Sequence, residues 1–416
     1  MQLSNLARRS LYFAQRQTHD FKLMLVRRAL HGFATNLSVQ YDSIYAVLLG
    51  ADPLQLGSLQ SVGNAFSTLA ALPTGWFIDY YTLKAVFLLG TVILIGSRFL
   101  YLFVPDWTWL YVAIILYYFG ARITCTSCTV TCAKELSNED RATGRGFCQA
   151  LSSPAAIIAP FLAGWLITRF GGLTIKGIRP LYALQALVFL GILLLLWVKF
   201  SPVRLHPEPQ ERRRILVDFI QVFRQGKGIV RTMILMGLME VPWTLARPFM
   251  PLYAHEFKGA NEYLLGAIGM ASALVPMLAS VPLGRLADRY GRKKLLFAIA
   301  PLTYIANLCL IYAPPSGSGA SLSLMFHGVL FGFNSTSMAL MSSMAAEVMP
   351  LKQMGRWIGA VTLFRGMLGV PAPMLGGFLW ERIGPQYVFL AAIAIDAFVR
   401  LPLLAMTGET LNLPRR

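Results

Sequence analysis

The stretch GRLADRYGRKK, Gly284 to Lys294, lies where a long apolar run stops and a basic turn begins. This is the pattern of a helix leaving a membrane. Gly284 has no Cβ and lets a second helix approach closely, while Asp288 sits at a helix end, where a carboxylate accepts hydrogen bonds or faces the positive N-terminus of a neighbour. Arg289, Arg292 and Lys293 flank Gly291 and belong in the headgroup zone. Earlier in the chain GWFIDYYTLK is a weaker copy, in which Gly75, Asp79 and Lys84 fall in register with Gly284, Asp288 and Lys293 at one constant offset. Two copies in register predict an internal repeat, with a conformational latch at each turn.

Working outward, the composition agrees with a chain that crosses a membrane many times. Of 416 residues 56% are apolar and 13% charged, and the mean hydropathy is +0.57, beyond the range of ordinary soluble domains. Spans need ~20 apolar residues. They are read near 29–50, 54–78, 85–104, 108–133, 147–168 and 180–200, then near 230–253, 262–287, 295–314, 320–346, 358–381 and 386–407. The predicted organisation is a basic cytosolic segment (1–28), a six-helix half (29–200), a linker with an amphipathic surface helix (201–228), a second six-helix half (229–407) and a short tail (408–416). The expected fold class is therefore all-α integral membrane, with twelve transmembrane helices and both termini cytosolic.

The net charge of +18 raises the question of nucleic acid. With the N-terminus placed inside, only Arg169, Lys176, Arg179, Lys258 and Arg382 fall in outer loops and most other bases are cytosolic. That asymmetry is the positive-inside rule. The charge reads as topology and contact with anionic headgroups, with no nucleic acid as partner. The cysteines show no paired spacing in outer loops, which argues against a disulfide framework. Cys125, Cys128 and Cys132 share a helical face, and Met233, Met236, Met239, Met338, Met341 and Met344 recur near His327; both patterns read as helix packing, with no metal site. The basic residues before residue 29 interrupt any apolar core, so no cleavable signal peptide is expected.

The repeat extends beyond the opening motif. Gly120 and Glu135 align with Gly332 and Glu347, and Pro160, Gly164 and Gly171 with Pro373, Gly377 and Gly384. The pattern Gly284, Asp288-Arg289, Gly291-Arg292-Lys293 resembles the signature between the second and third helices of each half of a major facilitator superfamily transporter. The resemblance covers about 29–407 and implies parallel six-helix halves related by an axis along the membrane normal. It also implies that the first, second, fourth and fifth helices of each half line a central cavity.

Ionisable side chains at membrane depth are functional candidates by default. By the resemblance, Asp42, Arg122, Glu240, Arg247 and Arg365 reach the cavity. Asn36 and Gln40 lie on a polar arc of the first span with Thr35, Ser38, Asp42 and Ser43; Trp243 is placed to stack on a ligand, and Asn334 is the repeat partner of Arg122. Asp396 and Arg400, four residues apart, form an intrahelical ion pair, and Arg98 is structural, by pairing or snorkelling. The chain departs from the family at Leu116, where many proton-coupled members carry arginine, and at Ala159, where the antiporter motif has glycine.

These readings imply a secondary transporter of the plasma or inner membrane working by alternating access, a monomer and not an enzyme. No GxxxxGK[ST] loop is present to cradle ATP phosphates. Proton-coupled efflux (antiport) of a small amphiphilic organic compound is the first choice, with an ion gradient and no cofactor. Proton-linked or passive uptake of a small metabolite is the alternative, and a non-transporting sensor or assembly protein on the same fold is the alternative of another class.

Overall fold

The computed structural model describes residues 18–135, 141–201, 227–348 and 354–408. Helices make up nearly all of them. In the first group are α1 (His19–Ser38), α2 (Asp42–Leu48), α3 (Pro53–Tyr80), α4 (Leu83–Phe103), α5 (Leu110–Glu135), α6 (Arg141–Arg169) and α7 (Ile175–Lys199). In the second are α8 (Lys227–Ala246), α9 (Met250–Glu256), α10 (Glu262–Tyr290), α11 (Arg292–Tyr312), α12 (Ser318–Val348), α13 (Met354–Gly369), α14 (Ala372–Arg382), α15 (Pro385–Ile395) and α16 (Leu401–Ala405). Among the described residues, seven segments are long and apolar enough to cross a membrane. Most of the expected spans coincide with one helix; the first, seventh, eleventh and twelfth are each assembled from shorter pieces.

Local chemistry sets the boundaries. Asp52 opens α3 with a capping box, accepting from the Gln55 amide at 2.6 Å while the Gln55 side chain accepts from the Asp52 amide at 2.9 Å, and Pro53 starts the first turn. Thr82, Thr174 and Asn261 cap α4, α7 and α10 in the simpler way. Gly291 joins α10 to α11 at φ 100°, a conformation that side-chain-bearing residues rarely adopt, so the glycine of the basic turn is required by the backbone itself. Two lysines cap helix C-termini: Lys258 donates to the carbonyls of Ile311 and Ala313, and Lys293 to those of Ala405 and Thr407, at 2.6–2.7 Å. Asp396–Arg400 forms a π-helical turn between α15 and α16.

Within the first group α4 packs on α5 and α7, α3 on α5, and α1 on α6 and α7; within the second α10 and α11 pack on α12, and α8 on α13, α14 and α15. The groups meet through α6 against α10 and α3 against α14. Glycines make this approach possible. A Cβ on Gly57 would overlap the Pro373 carbonyl, one on Gly377 the Pro53 carbonyl, one on Gly266 the Pro160 carbonyl at 2.5 Å, and one on Gly164 the Glu262 carbonyl at 2.8 Å. Polar ties join the same end: Tyr41 donates to the Glu262 carbonyl at 2.8 Å, Thr168 to its carboxylate at 2.8 Å, and the Leu54 amide to Glu381 at 2.9 Å. At the opposite ends of α3 and α10, Tyr80 and Tyr290 are exposed. Among the described residues, the close glycine contacts and polar ties between the two groups gather at the first of these ends.

The predicted boundary at residue 29 shifts. Residues 19–28 belong to α1, and Phe21, Leu23, Met24, Leu25 and Arg27 are buried. The expected linker helix lies outside the described residues except for the first turn of α8 at 227. Met233, Met236, Met239, Met341 and Met344 are core residues, as packing predicts.

Candidate functional site

Between the two groups lie cavities lined by both. The one of about 460 Å³ is bordered by Arg27, Arg28, His31 and Asn36 of α1, by Trp243, and by Arg247 just past the end of α8. It falls within the usual range for ligand sites. Deeper, toward the sealed end, a cavity of about 260 Å³ is lined by Thr35, Asn36, Gln40, Trp243, Arg247 and His327. Asn36, Trp243, Arg247, Ser272 and Phe331 border both, so they form the neck between them.

Trp243 lies parallel to Phe331, with centroids 5.2 Å apart and planes 9° from parallel, and the Arg247 guanidinium stands 5.2 Å from the Trp243 centroid. His327 stacks on the other side of this system, 5.6 Å from Phe331, and its Nδ1 lies 2.8 Å from the Ala306 carbonyl. Pro242, inside α8, removes a backbone donor next to Trp243.

A third cavity, of about 280 Å³, is lined by Asn64, Thr68, Arg122, Glu240, Thr244 and Arg365. Arg365 grips the Glu240 carboxylate with both Nε (3.1 Å) and Nη2. Arg122 does not join them; its Nε donates to the Ser67 carbonyl at 2.9 Å. Gly369 lets α13 lie against this acid, since a Cβ there would be 3.0 Å from the Glu240 side chain.

Asn36, Gln40, Trp243 and Arg247 thus border one cavity, and Arg122, Glu240 and Arg365 line another without Arg122 touching the pair. Two sequence-predicted residues go elsewhere. Asp42 follows a break in the first span, between the end of α1 at Ser38 and the start of α2, and turns into the first group, where it accepts from the Tyr182 hydroxyl at 2.9 Å. Ser38 turns the same way and accepts from Gln185 at 2.8 Å. Asn334 lines a small space shared with Tyr304, Asp396 and Arg400, behind Trp243. There Arg400 binds both Asp396 oxygens, Nη2 to Oδ2 at 2.7 Å, and Tyr304 donates to Oδ2 at 2.6 Å. This is the expected intrahelical pair.

Arg98 is buried to 2% exposure with its guanidinium 4.0 Å from the Tyr117 centroid and 5.0 Å from that of Tyr101. It does not snorkel. At the basic turn Arg292 lies 3.6 Å from Asp288, whose side chain is exposed, and a Cβ at Gly284 would meet open space. In this conformation Gly284 makes no close helix contact among the described residues. The side chains of Gly75's neighbour Trp76 and of Asp79, and that of Cys132, lie outside the described residues.

Sequence reasoning missed Arg27, Arg28 and His31, because a polar start to a helix interrupts the apolar run by which spans are found. The signal was available: helical spacing from Arg28 through His31 and Thr35 continues the polar arc of Asn36 and Gln40.

A multi-helix bundle in two packed groups with cavities lined by both is an architecture found in membrane transporters. The Major Facilitator Superfamily model matches residues 23–239 and 232–407, and the chain belongs to that family, as a multi-pass protein of the plasma or inner membrane. Among its relatives, the multidrug resistance protein MdtG of Dickeya zeae is 25% identical over 58% of this chain and 58% of its own. The multi-drug resistance efflux pump PmrA of Streptococcus pneumoniae is 29% identical over 38% and 41%, and the class B tetracycline resistance protein of Escherichia coli 25% over 40% and 41%. The chain spans about half the length of the curated relatives it matches. The solved nucleoside transporter NupG superposes with a TM-score of 0.75 at 13% identity, covering 94% of this chain and 99% of that one. A POT family transporter in complex with 5-aminolevulinic acid does so with 0.75 at 12%, covering 93% and 96%. At these identities the likeness is one of fold.

Proposed function

We propose that this chain is a secondary transporter that exports a small amphiphilic organic compound in exchange for protons by alternating access. The observation that carries the reading is the asymmetry among the described residues: close glycine contacts between the groups gather at one end, and cavities lined by both groups lie on the other side of them. With the termini cytosolic, the orientation that the charge distribution favours, the end closed by glycine contacts faces outward and the structure is the inward-facing member of a pair of states. The named efflux pumps and resistance proteins among the relatives favour export. The protein works as a monomer, with the gradient in place of a cofactor.

Glu240 is the coupling acid of this scheme. It lines the cavity and is held by Arg365, so a proton arriving from the cavity competes with the arginine for the carboxylate, and releasing Arg365 loosens α13 from α8. Asp42, bound to Tyr182 away from the cavity, serves the packing of the first group.

The test uses inside-out vesicles with an imposed pH gradient and a lumenal pH dye, challenged with a panel of amphiphilic acids, bases and neutral compounds. At least one compound should dissipate the gradient with the wild type, and none with Glu240→Gln. Compound movement that leaves the gradient untouched would contradict proton antiport.

A further inference from the structure

We infer that the cavity between α1 and α8 is a receptor for an organic anion bearing an aromatic ring, with Arg27 and Arg247 holding the negative group and the Trp243–Phe331 stack holding the ring. The inference rests on the transporter reading only in taking the occupant to be cargo.

The first ground is charge. Arg27, Arg28 and Arg247 border the large cavity, and no carboxylate does among the described residues. In a low-dielectric wall such a set focuses positive potential into the space it encloses. The second ground is unsatisfied bonding. Arg27 is 3% exposed, and its Nε has no hydrogen-bond partner. Its guanidinium lies over the Phe87 ring at 5.1 Å, and no described acid pairs with it. A buried guanidinium with a free donor beside a cavity is costly unless an anion or water completes it. Arg247 is exposed to the same cavity with Trp243 as its neighbour and no described acid in ion-pair reach.

The contrast with the third cavity sharpens the assignment. There Arg365 is already satisfied by Glu240 and Arg122 by a backbone carbonyl. Arg27 and Arg247 are the bases at the large cavity that no described acid pairs. The ring site follows from geometry: Trp243 and Phe331 are parallel and border both the large cavity and the deeper one. A flat ring seated at this neck leaves its carboxylate within the basic cavity. Asn36, at the same neck, donates one amide hydrogen to the Gly32 carbonyl at 2.8 Å and has a second that fits an oxygen acceptor.

The test measures binding to the full chain in nanodiscs of neutral phosphatidylcholine, so that no lipid headgroup supplies the net negative charge. Three probes share one shape: naphthoate, naphthamide and naphthylmethylammonium. Naphthoate should bind about tenfold or more tightly than naphthamide, and the ammonium most weakly, with the naphthoate preference shrinking as salt rises. Arg247→Gln and Arg27→Gln should each abolish the preference, Arg247→Lys should retain part of it, and Lys176→Gln should leave it intact. Trp243→Ala should weaken naphthoate and naphthamide by the same factor. Equal or tighter binding of the ammonium, or an undiminished preference in a folded Arg247→Gln protein, would overturn the assignment. If both glutamine variants fail to fold, the order of the three probes on the wild type decides alone. Binding is read without a gradient, so naphthoate that binds but is never moved contradicts the transporter reading and leaves the anion site standing. Export confined to cations does the reverse.

Discussion

Arg365 on α13 and Glu240 on α8 meet across the cavity wall, with Nε 3.1 Å from Oε2 and Nη2 on the same oxygen. The two helices belong to one half of the repeat, yet the pair looks into a space that Asn64, Thr68 and Arg122 close from the other half. A proton that neutralises Glu240 therefore changes what the two halves present to each other.

Removing either partner leaves the other charge partly buried, at 28% and 21% side-chain exposure, and should cost about 1–3 kcal/mol. The double variant Glu240→Gln/Arg365→Gln should recover part of that loss. A thermal double-mutant cycle with no interaction energy would show that the pair does not act as a unit. In proteoliposomes Glu240→Gln should still exchange substrate but lose pH-driven accumulation. Asp42→Asn should keep the accumulation.

Arg98 predicts a different ordering of variants. Its Nε and Nη1 are buried without partners inside the ring formed by Tyr101, Tyr117 and Tyr182. Arg98→Ala should destabilise by roughly 2–5 kcal/mol by opening a cavity. Arg98→Met keeps most of the volume and removes the unsatisfied donors, so it should be markedly less costly. Chemical denaturation of the two purified variants checks the order; equal losses would mean that the guanidinium's charge, and not its bulk, is what the cage needs.

Gly57 and Gly377 mark where bulk should change conformation and not folding. A Cβ at either overlaps a carbonyl of the opposite half. Overpacking at about 1–3 kcal/mol falls on the sealed state alone, so Gly57→Ala or Gly377→Ala should shift the equilibrium toward the outward-open state about tenfold or more. Maleimide labelling of a single cysteine replacing Gln40, in a background free of native cysteines, should accelerate from the outer side.

The basic turns give a test of the latch. Asp288, itself 70% exposed, lies 3.6 Å from the largely buried Arg292, so Asp288→Asn should change stability by no more than ~1 kcal/mol. Asp288→Asn and Asp79→Asn are nonetheless expected to alter the balance of labelling between cytosolic and outer vestibules, through contacts made when the open end closes. An unchanged balance in both variants removes the latch.

Much of this was legible in residue order, and the exceptions have local causes. Glycines aligned by the repeat, Gly164 with Gly377, turn out to make equivalent contacts across the halves, because close approach leaves few other residues possible. Arg122, Glu240, Arg247 and Arg365 stand out in the sequence because charge is rare in apolar runs, and each lines a cavity between the groups. Asp42 was misplaced because sequence periodicity assumes one continuous helix, whereas the chain turns between Ser38 and Asp42. Arg27 was missed for the opposite reason: it lies before the apolar run and is buried by tertiary packing against Phe87, which no local pattern reports. Asn334 shares the repeat position of Arg122 but not its surroundings, since a repeat preserves backbone placement and not side-chain neighbours.

Alternating access is tested most directly by spin-label distances at the two ends of the bundle in one preparation. Labels at Arg169 and Tyr263 report the sealed end, and labels at Tyr80 and Tyr290 the open end. Titrating pH in nanodiscs, in wild-type and Gly57→Ala backgrounds, should lengthen the first distance while shortening the second, with Gly57→Ala displaced toward the same outward-open populations. Distances that stay fixed at both ends, or lengthen together, would contradict a rocking transporter.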